Sequence, residues 1–215
     1  SQPWFKRIDP DRANLLGALH WCLTEQHDVS TGTDIALWLI PFWTVRGPRD
    51  EGALWLTRTL DCIQPLGPTI TKAKVMYGLV DFEHFLNRPD LAAAHAQEAL
   101  TICREQGSPF EIMIALLRRA GAGDLPIGAA RALVEEWLAL ARKLQDSFYE
   151  GIALFILGIR AMQEGNVAEA AHHYQNSLDA LADRNEPTWH IAAFYQADAL
   201  WQQGDTSVAL AQANT

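Results

Sequence analysis

The sequence contains few lysines and no long apolar run. Only four of its 17 basic residues are lysines, and 26 acidic residues give the 215-residue chain a formal net charge of −9. An acidic surface repels phosphate backbones, which argues against direct nucleic-acid binding by this segment. No apolar run reaches the roughly 20 residues of a membrane span, so no membrane association is predicted.

Cysteine is also scarce. Cys22, Cys62 and Cys103 are far apart, odd in number and set in apolar, helix-like contexts. This usage predicts reduced core residues in a cytoplasmic protein. The chain begins at Ser1, with neither an initiator methionine nor a signal peptide, which predicts a segment of a longer protein.

The sequence lacks the common catalytic motifs. It has no Gly-x-x-x-x-Gly-Lys-Ser/Thr, His-Glu-x-x-His, Cys-x-x-Cys or Gly-x-Ser-x-Gly, so we predict no enzymatic activity and no cofactor. The glycine-rich stretch 121–128 follows a helical pattern and is predicted to be an inter-helix loop. Glu169 and His172 have a spacing used in di-iron bundles, but those need a second copy and further glutamates. A surface pair is therefore favoured, and a helical metalloenzyme is a remote alternative.

Apolar residues recur at steps of three and four along the chain, which predicts an all-α protein. Glycine and proline separate these stretches, for example at Gly32, Gly47-Pro48, Gly67-Pro68 and Gly165. The breaks align with a period of 38 to 40 residues. The resulting units begin near Thr33, Ala73, Glu111, Gly151 and His190, and the last unit is truncated.

Two positions of the unit carry a packing signal. The twentieth position is always small, and the twenty-eighth is leucine in each unit that reaches it. These residues are Gly52, Ala92, Ala130, Ala170 and Ala209, and Leu60, Leu100, Leu138 and Leu178. Antiparallel helices can approach closely where a small side chain lies at their crossing. The pattern therefore predicts consecutive two-helix hairpins, whereas an irregular helical bundle would have such spacing only by accident.

The repeat resembles the tetratricopeptide repeat. The fourth unit carries most of the likeness, through Leu154, Leu157, Gly158, Gly165, Ala170, Tyr174 and Leu178. The predicted fold is a right-handed superhelix of antiparallel helix hairpins, a tetratricopeptide-like α-solenoid, forming a single domain over residues 1–215. A capping helix over residues 9–26 precedes the repeats. We expect Asp9 to cap that helix and Pro10 to occupy its first position.

Two further segments resemble the start of the helical-repeat arm of bacterial STAND-class signalling ATPases, which include NB-ARC-containing, LuxR-type transcriptional regulators. The first runs from Trp4 to Leu19, and the second from Ala36 to Leu60 with its Trp38, Trp43 and Trp55. The resemblance implies a sensor or scaffold arm that receives an inducer or partner and restrains the ATPase. It also implies that ATP hydrolysis and DNA binding reside outside this chain.

Ligands of such arrays bind on the concave surface formed by the first helices. In tetratricopeptide units that surface carries positions two, five, nine and twelve. Carried onto this register, the candidates are Tyr77, Asp81, His84, Arg119, Phe155, Ile159, Phe194, Asp198 and Trp201. Their mixture of aromatic, apolar and charged groups suits a protein or peptide partner or a small inducer. The alternative is that these side chains are simply packed together.

Two functions are compatible with these sequence features. The first is a non-enzymatic interaction and sensor domain of a cytoplasmic signal-transduction ATPase or transcriptional regulator. The second is a self-associating scaffold or adaptor that forms homo-oligomers without an effector. Four tryptophans, Trp38, Trp43, Trp55 and Trp137, are predicted to pack within or between hairpins.

Overall fold

The computed structural model describes residues 5–25, 28–182 and 187–204. Within these ranges the chain is all-α, with no β-strand. The ten α-helices are α1 (Phe5–His20), α2 (Val29–Val45), α3 (Arg49–Ile63), α4 (Ile70–Phe85), α5 (Pro89–Gln106), α6 (Pro109–Gly121), α7 (Ile127–Leu144), α8 (Ser147–Gln163), α9 (Val167–Leu181) and α10 (Pro187–Gln203). A π-helical turn, Trp21–Glu25, follows α1, and a 3-10 turn, Gln64–Leu66, follows α3.

Short polar side chains begin several helices. The carboxylate of Asp28 accepts a hydrogen bond from the Thr31 amide at the start of α2, and Asp146 does the same for two amides of α8. Residues in the left-handed region end others: Gly165 follows α8 with a φ of 78°, and Asn87 follows α4 with a φ of 57°. The local sequence therefore fixes where hairpins turn.

Helices that are neighbours in sequence pack against each other in two compact units. Apart from the loop residues Ala122–Asp124, which belong to the first unit, α1 to α5 form the first unit and α6 to α10 the second. In the first unit, α2 pairs with α3 and α4 with α5, while α1 packs on α2 as a cap. In the second, α6 pairs with α7, α8 with α9, and α10 packs on α9. The predicted hairpin architecture is confirmed; the single domain over residues 1–215 stays a prediction.

The small-residue signal marks the helix crossings. Gly52, Ala92, Ala130 and Ala170 are all buried, as are Leu60, Leu100, Leu138 and Leu178. A β-carbon at Gly52 would lie 2.6 Å from Cε2 of Phe82, so α3 could not approach α4 as closely with any larger residue there. Ala209 lies outside the described residues.

The start of the chain differs from the prediction. Helix α1 begins at Phe5, four residues early, so Pro10 lies inside the helix and Asp9 does not cap it. Gly32 is not a break, because it lies within α2, where a β-carbon would approach Cδ2 of Leu23 to 2.7 Å. This glycine permits close packing of the capping segment on the first hairpin, a role that periodicity alone could not separate from a turn.

Three of the four tryptophans are buried as predicted, with 1% of Trp43, 8% of Trp55 and none of Trp137 exposed. The prediction was wrong for Trp38, which is 80% exposed. Trp38 lies on the same exposed side of α2 as Asp34 and Pro41.

The cysteines are all free thiols. Cys22 and Cys103 are buried, whereas Cys62 is only partly so. No helix within the described ranges combines the length and hydropathy that a membrane span requires.

Candidate binding surface

The candidate residues fall into two groups, one in each unit. Tyr77, Asp81 and His84 lie on α4 in the first unit, at a spacing that places them along one helical face. Asp81 and His84 are exposed, whereas Tyr77 is half-buried and its hydroxyl lies 2.9 Å from Sγ of Cys103. In this group the tyrosine helps to hold α4 against α5.

The second unit presents the larger group on α8 and α10. Phe194 is 71% exposed and Trp201 is 58% exposed, and Asp198 lies between them on the same face of α10. Phe155 and Ile159, on α8, are half-buried. We call these five residues the aromatic face of the second unit.

Arg119 does not belong to this presented surface. Only 6% of it is exposed, on α6, and it interacts with other groups of the protein. A charged side chain this deeply covered is held by its protein partners, so the prediction of a surface residue is wrong and Arg119 is a buried one.

Aromatic contacts fix the geometry of α8, α9 and α10. The ring of Phe155 lies 5.9 Å from that of Tyr174 on α9 and 5.5 Å from that of Tyr195 on α10, and the two tyrosine rings are 5.8 Å apart. Such edge and tilted contacts add to the free energy of area burial. Phe155, a residue of the aromatic face, is thus packed against Tyr174 and Tyr195.

The chain is similar to known proteins in structure and not in sequence. It matches no family profile and no curated protein. Among solved structures, BtubC (BKLC) from P. vanneervenii has a TM-score of 0.78 and 14% identity, over 100% of this chain and 89% of that one. A Rap protein complexed with competence and sporulation factor has a TM-score of 0.72 and 13% identity, over 84% of this chain and 51% of that one.

A third structure is a signal transduction ATPase with numerous domains, of the STAND class, with a tetratricopeptide repeat sensor from Pyrococcus horikoshii. Its TM-score is 0.68 and its identity 17%, over 98% of this chain and 32% of that protein. The fold is tetratricopeptide-like. The present chain therefore spans about a third of the length of this STAND protein.

The concave positions of the repeat predicted the five residues of the aromatic face but missed two of their neighbours on α10. Tyr195, which is 39% exposed, and Ile191, which is 49% exposed, extend the face along α10. Ile191 occupies a concave position of the last unit and could have been found from the register. Tyr195 lies one residue beyond such a position and becomes visible only through its ring contacts.

The electrostatics of the aromatic face are dominated by Asp198. Its Oδ2 accepts a hydrogen bond from Nε2 of Gln202 at 2.8 Å, and no cation pairs with it in the part of the chain that the structure describes. Beneath it, the Tyr174 hydroxyl is buried and has no hydrogen-bond partner among the described residues. Burial raises the pKa of Tyr174 to about 12, with smaller contributions from Tyr195 and Asp198.

Glu169 and His172, the candidate metal ligands, contact different side chains. The Glu169 carboxylate is hydrogen-bonded by Arg131 and by Asn166, and its histidine contact is with His173. His172 instead pairs with Asn176, at 3.0 Å from Nε2. The Arg131 guanidinium holds the pKa of Glu169 below its usual range. No cluster of histidine, cysteine, aspartate or glutamate suited to a metal ion occurs among the described side chains.

Proposed function

We propose that the second unit is a peptide- or protein-binding module whose ligand lies on the aromatic face. The observation that carries the proposal is the exposure of Phe194 and Trp201 on either side of Asp198, above a rigid base of packed rings. Exposed aromatic side chains on a preorganised support are the usual anchors of protein recognition. The Rap protein, of similar fold, has been solved in complex with competence and sporulation factor, which supports the proposal by analogy.

The ligand chemistry follows from the charges. Asp198 is an acidic group without a cationic partner among the described residues, and the whole chain carries a net charge of −9. A ligand with one lysine or arginine between two apolar side chains would pair with Asp198 and cover Phe194 and Trp201. A cation between aromatic rings gains additional attraction from their π faces.

The experiment is selection from a random peptide library displayed on phage, with the purified chain immobilised. We expect enriched peptides in which a basic residue is flanked by aromatic or aliphatic ones. Phe194→Ala combined with Trp201→Ala should weaken a selected peptide by about tenfold or more. Phe110→Ala is the matched control, because Phe110 is an exposed aromatic residue on α6, and it should leave the affinity unchanged.

Failure of the selection, or peptides that bind the double variant and the control equally, would sink the proposal. Circular dichroism of each variant confirms that the helices are intact. Both substituted residues are more than half exposed, so their loss should not unfold the protein.

We further propose that the chain is the sensor arm of a larger signalling ATPase that regulates transcription in the cytoplasm. The support is the STAND-like pattern of residues 4–60 and the similarity in fold to the STAND protein with a repeat sensor. Binding at the aromatic face would then shift an equilibrium between restrained and released states of the ATPase. Reading the upstream coding sequence tests this: a phosphate-loop motif followed by a winged-helix pattern is expected, and its absence would refute it.

A self-associating scaffold is the second candidate, and the exposure of Trp38 favours it. A tryptophan that is 80% exposed on an otherwise packed helix is a common anchor of symmetric contacts. Sedimentation velocity over a range of concentrations decides between the two. A dimer that dissociates on the substitution Trp38→Ala supports the scaffold. A chain that is monomeric at all concentrations refutes it.

A further inference from the structure

The first unit contains an apolar groove that is separate from the aromatic face. The groove has a volume of about 700 Å³ and is lined almost entirely by carbon, from Leu15 of α1 and from Ile35, Trp38, Leu39 and Pro41 of α2. Its size is within the range of sites that hold small organic molecules. The exposed Trp38 is the one aromatic residue among the described residues that line the groove.

The groove has a polar end. Thr31 and Asp34 line it one turn before the apolar residues of α2. Asp34 also lines a second pocket of about 480 Å³. The other lining residues are polar and apolar: Asp28, Ser30, Thr33, Thr69 and Thr71, and Val29, Ile63 and Leu66. Asp34 therefore lies where the two pockets meet.

Asp34 is available to a ligand. It is exposed, and it makes no hydrogen bond or ion pair with the part of the chain described by the structure. In contrast, Asp28 accepts a hydrogen bond from the Thr31 amide, and the hydroxyl of Thr33 donates to the carbonyl of Val29. Among the described residues that line the apolar groove, Asp34 is thus the one ionisable group, and the fold does not use it.

We propose that this groove binds a cationic amphiphile. The apolar body would lie along Leu15, Trp38 and Leu39, and a protonated amine would pair with Asp34 at the opening of the polar pocket. The span from Asp34 to Pro41 along α2 is about 10 Å, and the apolar body would follow α2 over this distance. A charged head pairs with an exposed carboxylate, while the tail removes apolar groove surface from water.

The experiment compares three ligands with the same tail and different heads: dodecylammonium, dodecanoate and dodecanol. Binding to the full chain is measured by isothermal titration calorimetry, with the two ionic ligands below their micelle concentrations and dodecanol below its solubility limit. We expect one dodecylammonium per chain, bound about tenfold more tightly than dodecanol, as one charge-assisted hydrogen bond would give. Dodecanoate should bind more weakly than dodecanol.

Variants separate the site from the general negative charge of the protein. Asp34→Asn should remove the preference for dodecylammonium over dodecanol, whereas Asp61→Asn, an exposed carboxylate on α3, should retain it. Trp38→Ala should weaken all three ligands. Equal affinities for the three head groups, binding of many molecules per chain, or a preference that survives Asp34→Asn would each overturn the proposal, with circular dichroism confirming the fold of every variant.

Discussion

Gly158 on α8 lies directly against the ring of Tyr174 on α9, so closely that a β-carbon at position 158 would be 2.6 Å from Cδ1 of the tyrosine. Tyr174 is fully buried and also contacts Phe155 and Tyr195. Because the ring is held on several sides, it cannot move away to admit a methyl group. The absence of a side chain at position 158 thus sets how closely the fourth hairpin closes beneath the aromatic face.

Gly158→Ala should therefore destabilise the protein, by about 1 to 3 kcal/mol through overpacking. Gly128→Ala on α7 is the matched control, since a β-carbon there meets no atom within 4 Å. A glycine-to-alanine change in a helix with free space should be neutral or stabilising by up to about 1 kcal/mol. Urea unfolding of both variants measures the difference, and equal midpoints would contradict the close contact.

The small residue at the twentieth position gives a second stability prediction. Ala170 is fully buried on α9, so Ala170→Leu should overpack the crossing of α8 and α9 and cost about 1 to 3 kcal/mol. Ala168→Leu, on the exposed side of the same helix, should change the free energy of unfolding by less than about 0.5 kcal/mol. An unchanged unfolding midpoint for Ala170→Leu would show that the crossing can expand.

The hairpin fold could be predicted because its signals are local and repeated. A small residue, such as Gly52 or Ala170, and a leucine eight positions later recur in the first four units, so one accidental match cannot create the pattern. The predicted helix starts were less accurate near the N-terminus. Proline and glycine are typical of helix ends, but Pro10 and Gly32 lie inside helices. Their roles depend on neighbouring helices, which a single sequence does not place.

The candidate surface was only partly predictable for the same reason. Register alone places Phe194, Asp198 and Trp201 on one face of α10, and the structure has them exposed. Register does not tell whether a side chain is buried, as Arg119 is, or exposed, as Trp38 is. Burial of a single position depends on tertiary packing, and aromatic residues suit the core and the surface equally well.

Arg131 on α7 pairs with Glu135 of the same helix and with two carboxylates at the turn between α8 and α9. Its guanidinium pairs with Glu164 at 2.7 Å, with Glu135 at 3.1 Å and with Glu169. Arg131→Gln should cost about 1 kcal/mol or more at neutral pH, because the cation serves a network and the carboxylates would repel each other. Glu135→Gln, which removes an exposed partner on the same helix, should cost less than about 0.5 kcal/mol.

The same network predicts an acid dependence. The pKa of Glu169 is lowered in the folded protein, mainly by its hydrogen bond from Arg131, so its contribution is present above the unfolded pKa near 4.5. That contribution is lost as the pH falls through the lower, folded value. Urea unfolding from neutral to acid pH should therefore show a smaller loss for Arg131→Gln than for the wild-type chain. Parallel curves would show that Arg131 does not stabilise the ionised carboxylate.

The burial of Tyr174 predicts how the stability of the protein depends on pH in alkaline solution. Burial raises its pKa to about 12, above the unfolded value of 10.0, so the folded protein retains the phenol proton more strongly. The corresponding stability is complete below about pH 10 and is lost as the pH rises through the folded value, because the unfolded chain loses its proton first. Tyr174→Phe should lose about 2 kcal/mol less than the wild-type chain between about pH 9 and pH 12.

At neutral pH, Tyr174→Phe should be as stable as the wild-type chain or more so, since it removes a buried hydroxyl that has no partner among the described residues while leaving the ring in place. Tyr195→Phe, in the same ring cluster but 39% exposed, is the control and should follow the wild-type curve. Urea unfolding at neutral pH and at alkaline pH measures the stability of each variant. If Tyr174→Phe lost stability at neutral pH, the hydroxyl would be hydrogen-bonded in solution. Removal of a hydroxyl destabilises the folded protein only when that hydroxyl makes a hydrogen bond.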